Sequence, residues 1–144
     1  MKRVFVLWHG DKAVGICVFA APAAALTLRS QAFGLTNPRS RVAMTALNEQ
    51  LWVLQRVVLH PVYRGAGIAA AFVRTCCERC PVPWIETLSA MGQVNPFFER
   101  AGFVRLGIIR KDARSFADDP YRFSEPVYYV FDNRRKLTLP SGGA

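Results

Sequence analysis

No stretch of this 144-residue chain approaches the ~20 consecutive apolar residues of a membrane span. Its opening, MKRVFVLWHGDKAVG, meets a histidine, a glycine and two charges too early for the apolar region of a signal peptide. The expected setting is therefore soluble and cytoplasmic. Cysteine is sparse: Cys17, Cys76, Cys77 and Cys80. No second Cys-x-x-Cys and no histidine pair joins Cys77 and Cys80 to complete a tetrahedral metal set, so no metal is expected. An even cysteine count implies disulfides only in a secreted chain, and buried free thiols are the expectation here. Acidic residues are few, 10 against 19 Lys and Arg, for a net charge of +9. That balance favours a polyanionic partner, either nucleic acid or a phosphate-bearing cofactor. There is no internal repeat and no linker. One domain over residues 1–136 is expected, with a flexible tail over 137–144.

The hydrophobic fraction of 51% is enough to build a core. RVFVLWHGDKAVGICVF reads as a hairpin turning at HGDK. Residues 23–50 are long for a simple connection. Within them AAALTLRSQAFGL suggests a short helix, TNPRS a loop, and RVAMTALNEQ is ambiguous. LWVLQRVVLHP is nearly continuously apolar, as suits a central strand covered on both faces. GIAAAFVRTCCERC follows as a helix with Ile68, Phe72 and Thr75/Cys76 on one face. PWIETLSA is the next strand. NPFFERAGF is a short helix with Asn95 as cap and Gly102 past its end. FVRLGIIR and VYYVFDN are the last strands. This order of elements describes a mixed α/β or α+β domain.

Between the central strand and its helix lies HPVYRGAGIAAA. Unpaired N–H groups and a partial positive charge mark a helix N-terminus. Gly65 and Gly67 let backbone amides approach an anion closely, and Arg64 adds a cation. The combination suits a diphosphate. It is not a P-loop, since no Gly-Lys-Ser/Thr follows, and it lacks the third glycine of a dinucleotide fingerprint. A tight turn that needs glycine for geometry alone is the alternative.

VVLHPVYRGAGIAAAFV resembles the acyl-CoA-binding motif of the GNAT acyltransferase superfamily, R/Q-x-x-G-x-G/A, through Arg64, Gly67 and Ala69. NPFFERAGFVRLG is similar to that family's second motif, and DKAVGICVF to its second and third strands. The resemblance covers residues 1 to about 110 and the strand near VYYVFDN. It implies a GNAT-like fold and acetyl-CoA or another acyl-CoA as cofactor. It also implies a pantetheine arm pairing with backbone around Val57, Val58 and Leu59. The amides of Gly65, Ala66, Gly67, Ile68 and Ala69 would hold the pyrophosphate. Two departures accompany it. The chain begins at the family's second strand, so its usual first strand and following helices are lacking and residues 23–50 stand in their place. Phe98 occupies the position of the tyrosine that commonly protonates the departing thiolate.

Acyl transfer to an amine needs a proton acceptor and a donor for the thiolate. Glu86, amid apolar neighbours in WIETL, is one candidate, and His60 at the strand end is another. Ser89, Gln93 and Asn95 stand at the mouth of the expected cleft. Tyr63, Tyr128 and Tyr129 are candidate proton donors, or core tyrosines.

For the acceptor, GDKAVGICVFAAPA, the Leu47–Asn48 pair and MGQVNPFF resemble the Mom-type DNA-modification proteins of Mu-like bacteriophages. That resemblance implies DNA as substrate and a bacterial or phage-infected host. Arg29, Arg39 and Arg41 would then contact phosphates, with Arg105, Arg110, Lys111, Arg114 and the RRK tail. Transfer to RNA, a protein amine or a small amine is the alternative enzyme reading. A non-catalytic CoA- or DNA-binding module is the alternative of another class. An exposed sheet edge at the first hairpin makes a homodimer an expectation as well.

Overall fold

The computed structural model describes residues 1–22, 29, 33–34, 41–65, 67–90, 92, 95–109 and 126–135. Strand β1 is Arg3–His9 and β2 is Lys12–Ala20, an antiparallel hairpin that turns through Gly10 at φ 64°. Helix α1, Arg41–Gln50, leads into β3, Leu51–Leu59. After a 3₁₀ turn at Pro61–Tyr63 comes helix α2, Ile68–Glu78. Then follow β4 at Trp84–Ser89, α3 at Phe97–Arg100, β5 at Val104–Ile108 and β6 at Val127–Asp132. The strands form one mixed sheet in the order β1-β2-β3-β4-β6-β5. Only β3 and β4 run parallel, joined by the α2 crossover. Among the described residues no helix is long and apolar enough to cross a membrane.

Period-2 alternation divides the sheet into two faces. On one, Cys17, Phe19, Trp52, Leu54, Ile85, Val127, Tyr129 and Phe131 pack against Phe72, Val73, Cys76 and Cys77 of α2. The buried stripe of α2 is thus rotated from the Ile68–Phe72–Cys76 expectation. Val73 and Cys77 are fully covered, whereas Ile68 is 39% exposed at the first turn. All four cysteines are free and buried. Burial disfavours the Cys77 and Cys80 thiolates and pushes the Cys80 thiol up to about 12. They act as small apolar side chains of the core.

The other face carries α1, whose flank with Phe33, Leu51 and Trp84 forms an apolar groove. RVAMTALNEQ, ambiguous as sequence, is therefore helical, but it buries none of its residues fully. Of the short helix expected over AAALTLRSQAFGL only Arg29, Phe33 and Gly34 are described, and the TNPRS loop and the tail boundary lie outside the described residues. Two sequence readings need correction. Helix α3 is short, as expected, but its cap is Pro96: Asn95 Oδ1 accepts from the Phe97 amide at 3.1 Å from one position earlier. The central strand is not covered throughout. Leu51, Trp52 and Leu54 are buried, whereas Gln55, Arg56 and Val58 are exposed.

Candidate active site

That change along β3 has a structural cause. Its pairing with β2 slips between Val18 and Phe19: Val18 faces Arg56 and Phe19 faces Leu54, so Gln55 is an extra, bulged residue. On its other side β3 pairs with β4 only from Leu51 to Val53, opposite Trp84 to Glu86. Beyond this the two strands part. The Thr87 hydroxyl donates to the Leu54 carbonyl at 3.0 Å and bridges the point of divergence. Above it opens a cleft of about 560 Å³. It takes Leu54 to Val57 and Leu59 from β3, Thr87 and Leu88 from β4, and Phe97, Phe98 and Arg100 from α3.

The glycine turn closes the far end. His60 Nδ1 accepts from the Val62 amide and shapes the 3₁₀ turn. Arg64 Nε donates back to the Leu59 carbonyl at 3.0 Å, which ties the guanidinium to the end of β3. Gly65 has φ 93° and Gly67 φ 75°, conformations in which a side chain is strained. A Cβ at either would meet nothing within 4 Å, so it is backbone conformation that requires glycine there. Gly67 is the N-cap of α2 and no side chain caps it. The first-turn amides of an 11-residue helix are thereby left to an outside acceptor, beside Arg64.

Of the residues expected at the cofactor, Val57, Leu59, Arg64, Gly65, Gly67 and Ala69 line the cleft. Val58 points to the opposite face, into a groove with Val6, Ile16 and His60. Ile68 begins α2 beside the cleft, and Ala66 lies outside the described residues. The catalytic candidates Glu86, His60 and Ser89 are not among the lining residues. His60 is exposed at the strand end, 6.0 Å ring to ring from Tyr63. Ser89 ends β4 half-buried, its carbonyl accepting from Gly92. Tyr63 is engaged with His9, and Tyr129 with the Gly92 carbonyl and Glu99. Gln93 lies outside the described residues.

Glu86 alternates onto the face away from α2. There both carboxylate oxygens are taken up: Oε2 accepts from Arg29 Nε at 2.8 Å and from the Tyr128 hydroxyl at 2.7 Å, and Oε1 pairs with Arg29 Nη2. Arg29 is 1% exposed, which corrects its reading as a surface contact to nucleic acid. A guanidinium inside the protein cannot reach a phosphate backbone. Burial works against its charge, but the hydrogen bond and charge of Glu86, with Tyr128, outweigh this and hold its pKa above the ordinary value. Burial raises the Tyr128 phenol, and the neighbouring Glu86 charge raises it further. The cluster pins Arg29 to β4 and β6. Arg41 and Arg105 are exposed, on α1 and β5, while Arg39, Arg110, Lys111 and Arg114 lie outside the described residues.

Comparison with solved structures fits this geometry. A chimera of the Vibrio cholerae spermidine N-acetyltransferase SpeG with hSSAT matches with a TM-score of 0.60 at 12% identity, over 94% of this chain and 69% of that one. A GNAT family acetyltransferase from Elizabethkingia anophelis with acetyl-CoA bound matches at 0.58 and 8% identity, over 90% and 74%. This is the GNAT fold. AAC(6')-Ib in complex with paromomycin and acetyl-CoA shares it, at 0.56 and 16% identity over 98% of this chain and 70% of the other. No protein-family model matches the sequence, and no curated protein matches it. The comparisons lend no support to the narrower Mom-type resemblance. Within the GNAT fold, sequence reasoning missed Gln55, Arg56, Thr87 and Arg100 as cleft residues. The signal for the first two was present: a polar Gln-Arg pair interrupting an otherwise apolar strand.

Proposed function

We propose that this protein is an acyl-CoA-dependent N-acyltransferase. The observation that carries the reading is the conjunction of two features. A cleft opens by parting of β3 and β4, and it ends on an uncapped helix N-terminus with two positive-φ glycines and Arg64. Acyl-CoA supplies an activated thioester; in the transfer its C–S bond breaks as the C–N bond forms, the amine gives up a proton and the thiolate takes one. The amides from Gly65 to Ala69 and Arg64 suit its pyrophosphate. The unpaired backbone edge of β3 at Val57 to Leu59 suits its amide-bearing arm. The GNAT-fold proteins described with CoA or acetyl-CoA support this choice of donor.

Phe98 lines the cleft without a hydroxyl, and the Tyr128 and Tyr129 hydroxyls are engaged elsewhere. That observation favours a second reading, a domain that binds acyl-CoA without turning it over. For the acceptor, the comparisons give no support to nucleic acid; SpeG is named for spermidine, and AAC(6')-Ib is held with an aminoglycoside. Calorimetric titration of acetyl-CoA tests the donor site. Micromolar binding by the wild type, lost in Gly67→Trp with an unchanged circular dichroism spectrum, is the expected result. Absence of binding by folded wild-type protein overturns the reading. Release of free CoA with an amine present separates the enzyme from the module.

A further inference from the structure

The acyl-CoA reading leaves the acceptor open, and the charges around the cleft bear on it. Three arginines line the cleft, Arg56, Arg64 and Arg100, and among the described residues no carboxylate does. Glu86 is inside with Arg29, Glu78 pairs with Arg74, Asp132 with Arg134, and Glu99 accepts from Tyr129. Recognising a polycationic amine requires carboxylates facing it. This cleft presents the opposite sign.

The arginines divide the cleft between them. Arg64 stands at the glycine turn, held to the Leu59 carbonyl. Arg100 projects from α3 on the far wall. Arg56 lies three residues before the end of β3, about 10 Å from the turn at strand rise, next to bulged Gln55. Among the described residues it has no ion pair and no side-chain hydrogen bond. By alternation it faces away from α2 with Val58 and opposite Leu88, which are 47% and 48% exposed. The gap between β3 and β4 therefore opens on both faces of the sheet. Donor groups face the α2 side, and the other mouth carries one unpaired cation between two exposed aliphatics.

We propose that Arg56 selects an acceptor amine carried on an anionic molecule, bearing phosphate or carboxylate, which enters through the mouth opposite α2. This rests on the acyl-CoA reading. A guanidinium there attracts the anion and disfavours a second positive charge beside it, which favours the neutral, nucleophilic form of the amine. Polyamines and aminoglycosides, several cations each, meet like charge there, and among the described residues no cleft carboxylate offsets it.

The test is binding to the CoA-loaded protein. Spermidine, O-phosphoethanolamine, glutamate and a short single-stranded oligodeoxynucleotide are titrated into wild type and Arg56→Gln at fixed ionic strength. At least one anion is expected to bind the wild type more tightly than spermidine does, and Arg56→Gln to weaken it tenfold or more, with CoA affinity altered less than threefold. Binding by the small anions marks a small acceptor; binding by the oligonucleotide alone marks a nucleic-acid acceptor. Either supports the proposal. It is overturned if spermidine binds at least as well as every anion, if no anion binds, or if Arg56→Gln leaves anion affinity unchanged. A fall in CoA affinity matching the fall for the anion assigns Arg56 to the donor and overturns it too. Failure of the wild type to take up CoA at the loading step is the separate failure of the acyl-CoA reading, and the proposal falls with it.

Discussion

The β3–β4 pair is closed along its first half and open along its second, and the two halves are built from different forces. In the closed half, three parallel positions are paired, Leu51, Trp52 and Ile85 are buried, and the Arg29–Glu86–Tyr128 cluster seals the face away from α2. In the open half the strand is bulged at Gln55, its β4-side backbone is unpaired, and a cleft takes the place of a partner. Side-chain burial holds the first half together. Backbone geometry shapes the second, through the bulge, the positive-φ glycines and the uncapped helix. Removing a contact from the closed half should cost stability, whereas altering the open half should cost binding and leave the fold nearly intact.

The largest effect should come from breaking the buried ion pair. Arg29→Met or Glu86→Leu leaves one member buried without its counter-charge and the hydrogen bonds between them, and each is expected to lose about 3–5 kcal/mol in urea unfolding. The Arg29→Met/Glu86→Leu double variant should recover most of that loss. If the single variants are near neutral, the cluster does not hold the closed half. Next in size is Gly67→Ala. A non-glycine residue in that left-handed conformation costs about 1–2 kcal/mol of strain; relieving it turns the amides away from the cleft, so acetyl-CoA affinity should fall at least tenfold while the unfolding midpoint moves little. Thr87→Val removes the bridge at the point of divergence and leaves the Leu54 carbonyl without that donor. A loss of about 1–2 kcal/mol is expected, and a larger loss of acetyl-CoA affinity than of stability would move Thr87 into the open half.

The smallest effect lies on the alkaline limb. Burial raises the Cys77 and Cys80 thiols, Cys80 to about 12 from an ordinary 9.0, and burial with the Glu86 charge raises the Tyr128 phenol. The unfolded chain releases these protons at lower pH than the folded one. Their contribution is thus complete below about pH 9 and declines as pH rises toward the folded values. Cys80→Ala should flatten the fall in unfolding midpoint between pH 9 and 11, whatever it does to the midpoint at pH 7. An unchanged slope would show that the thiol titrates alike in both states.

Element types were legible in the sequence wherever periodicity and punctuation agreed. The hairpin at Gly10, the strand ending at Pro61, α2 and β6 all appear where their patterns put them. The Arg64–Ala69 turn was legible too, because a strand-to-helix junction with glycines has few uses. Helix α3 was read as short and is short, but its cap is Pro96 and not Asn95, and only four of the six residues between Asn95 and Gly102 are helical. Arg29 and the second half of the central strand, which holds Arg56, were misjudged in opposite directions. Arg29 counted as a surface cation and is enclosed. Arg56 sat inside an apolar run and is exposed. Both errors have one origin, since neither the partner of a buried charge nor the register slip that turns a strand residue outward is local in sequence.

By itself the sequence determined the order of strands and helices, the glycine turn and the absence of a hydroxyl at Phe98. These depend on backbone preferences and residue identity within a few positions. Only the tertiary structure decided where β3 leaves β4 and which face Glu86 and Arg56 occupy. Those outcomes depend on pairing between residues tens of positions apart, such as Arg29 with Glu86 and Leu54 with Thr87, and local propensity carries no record of them.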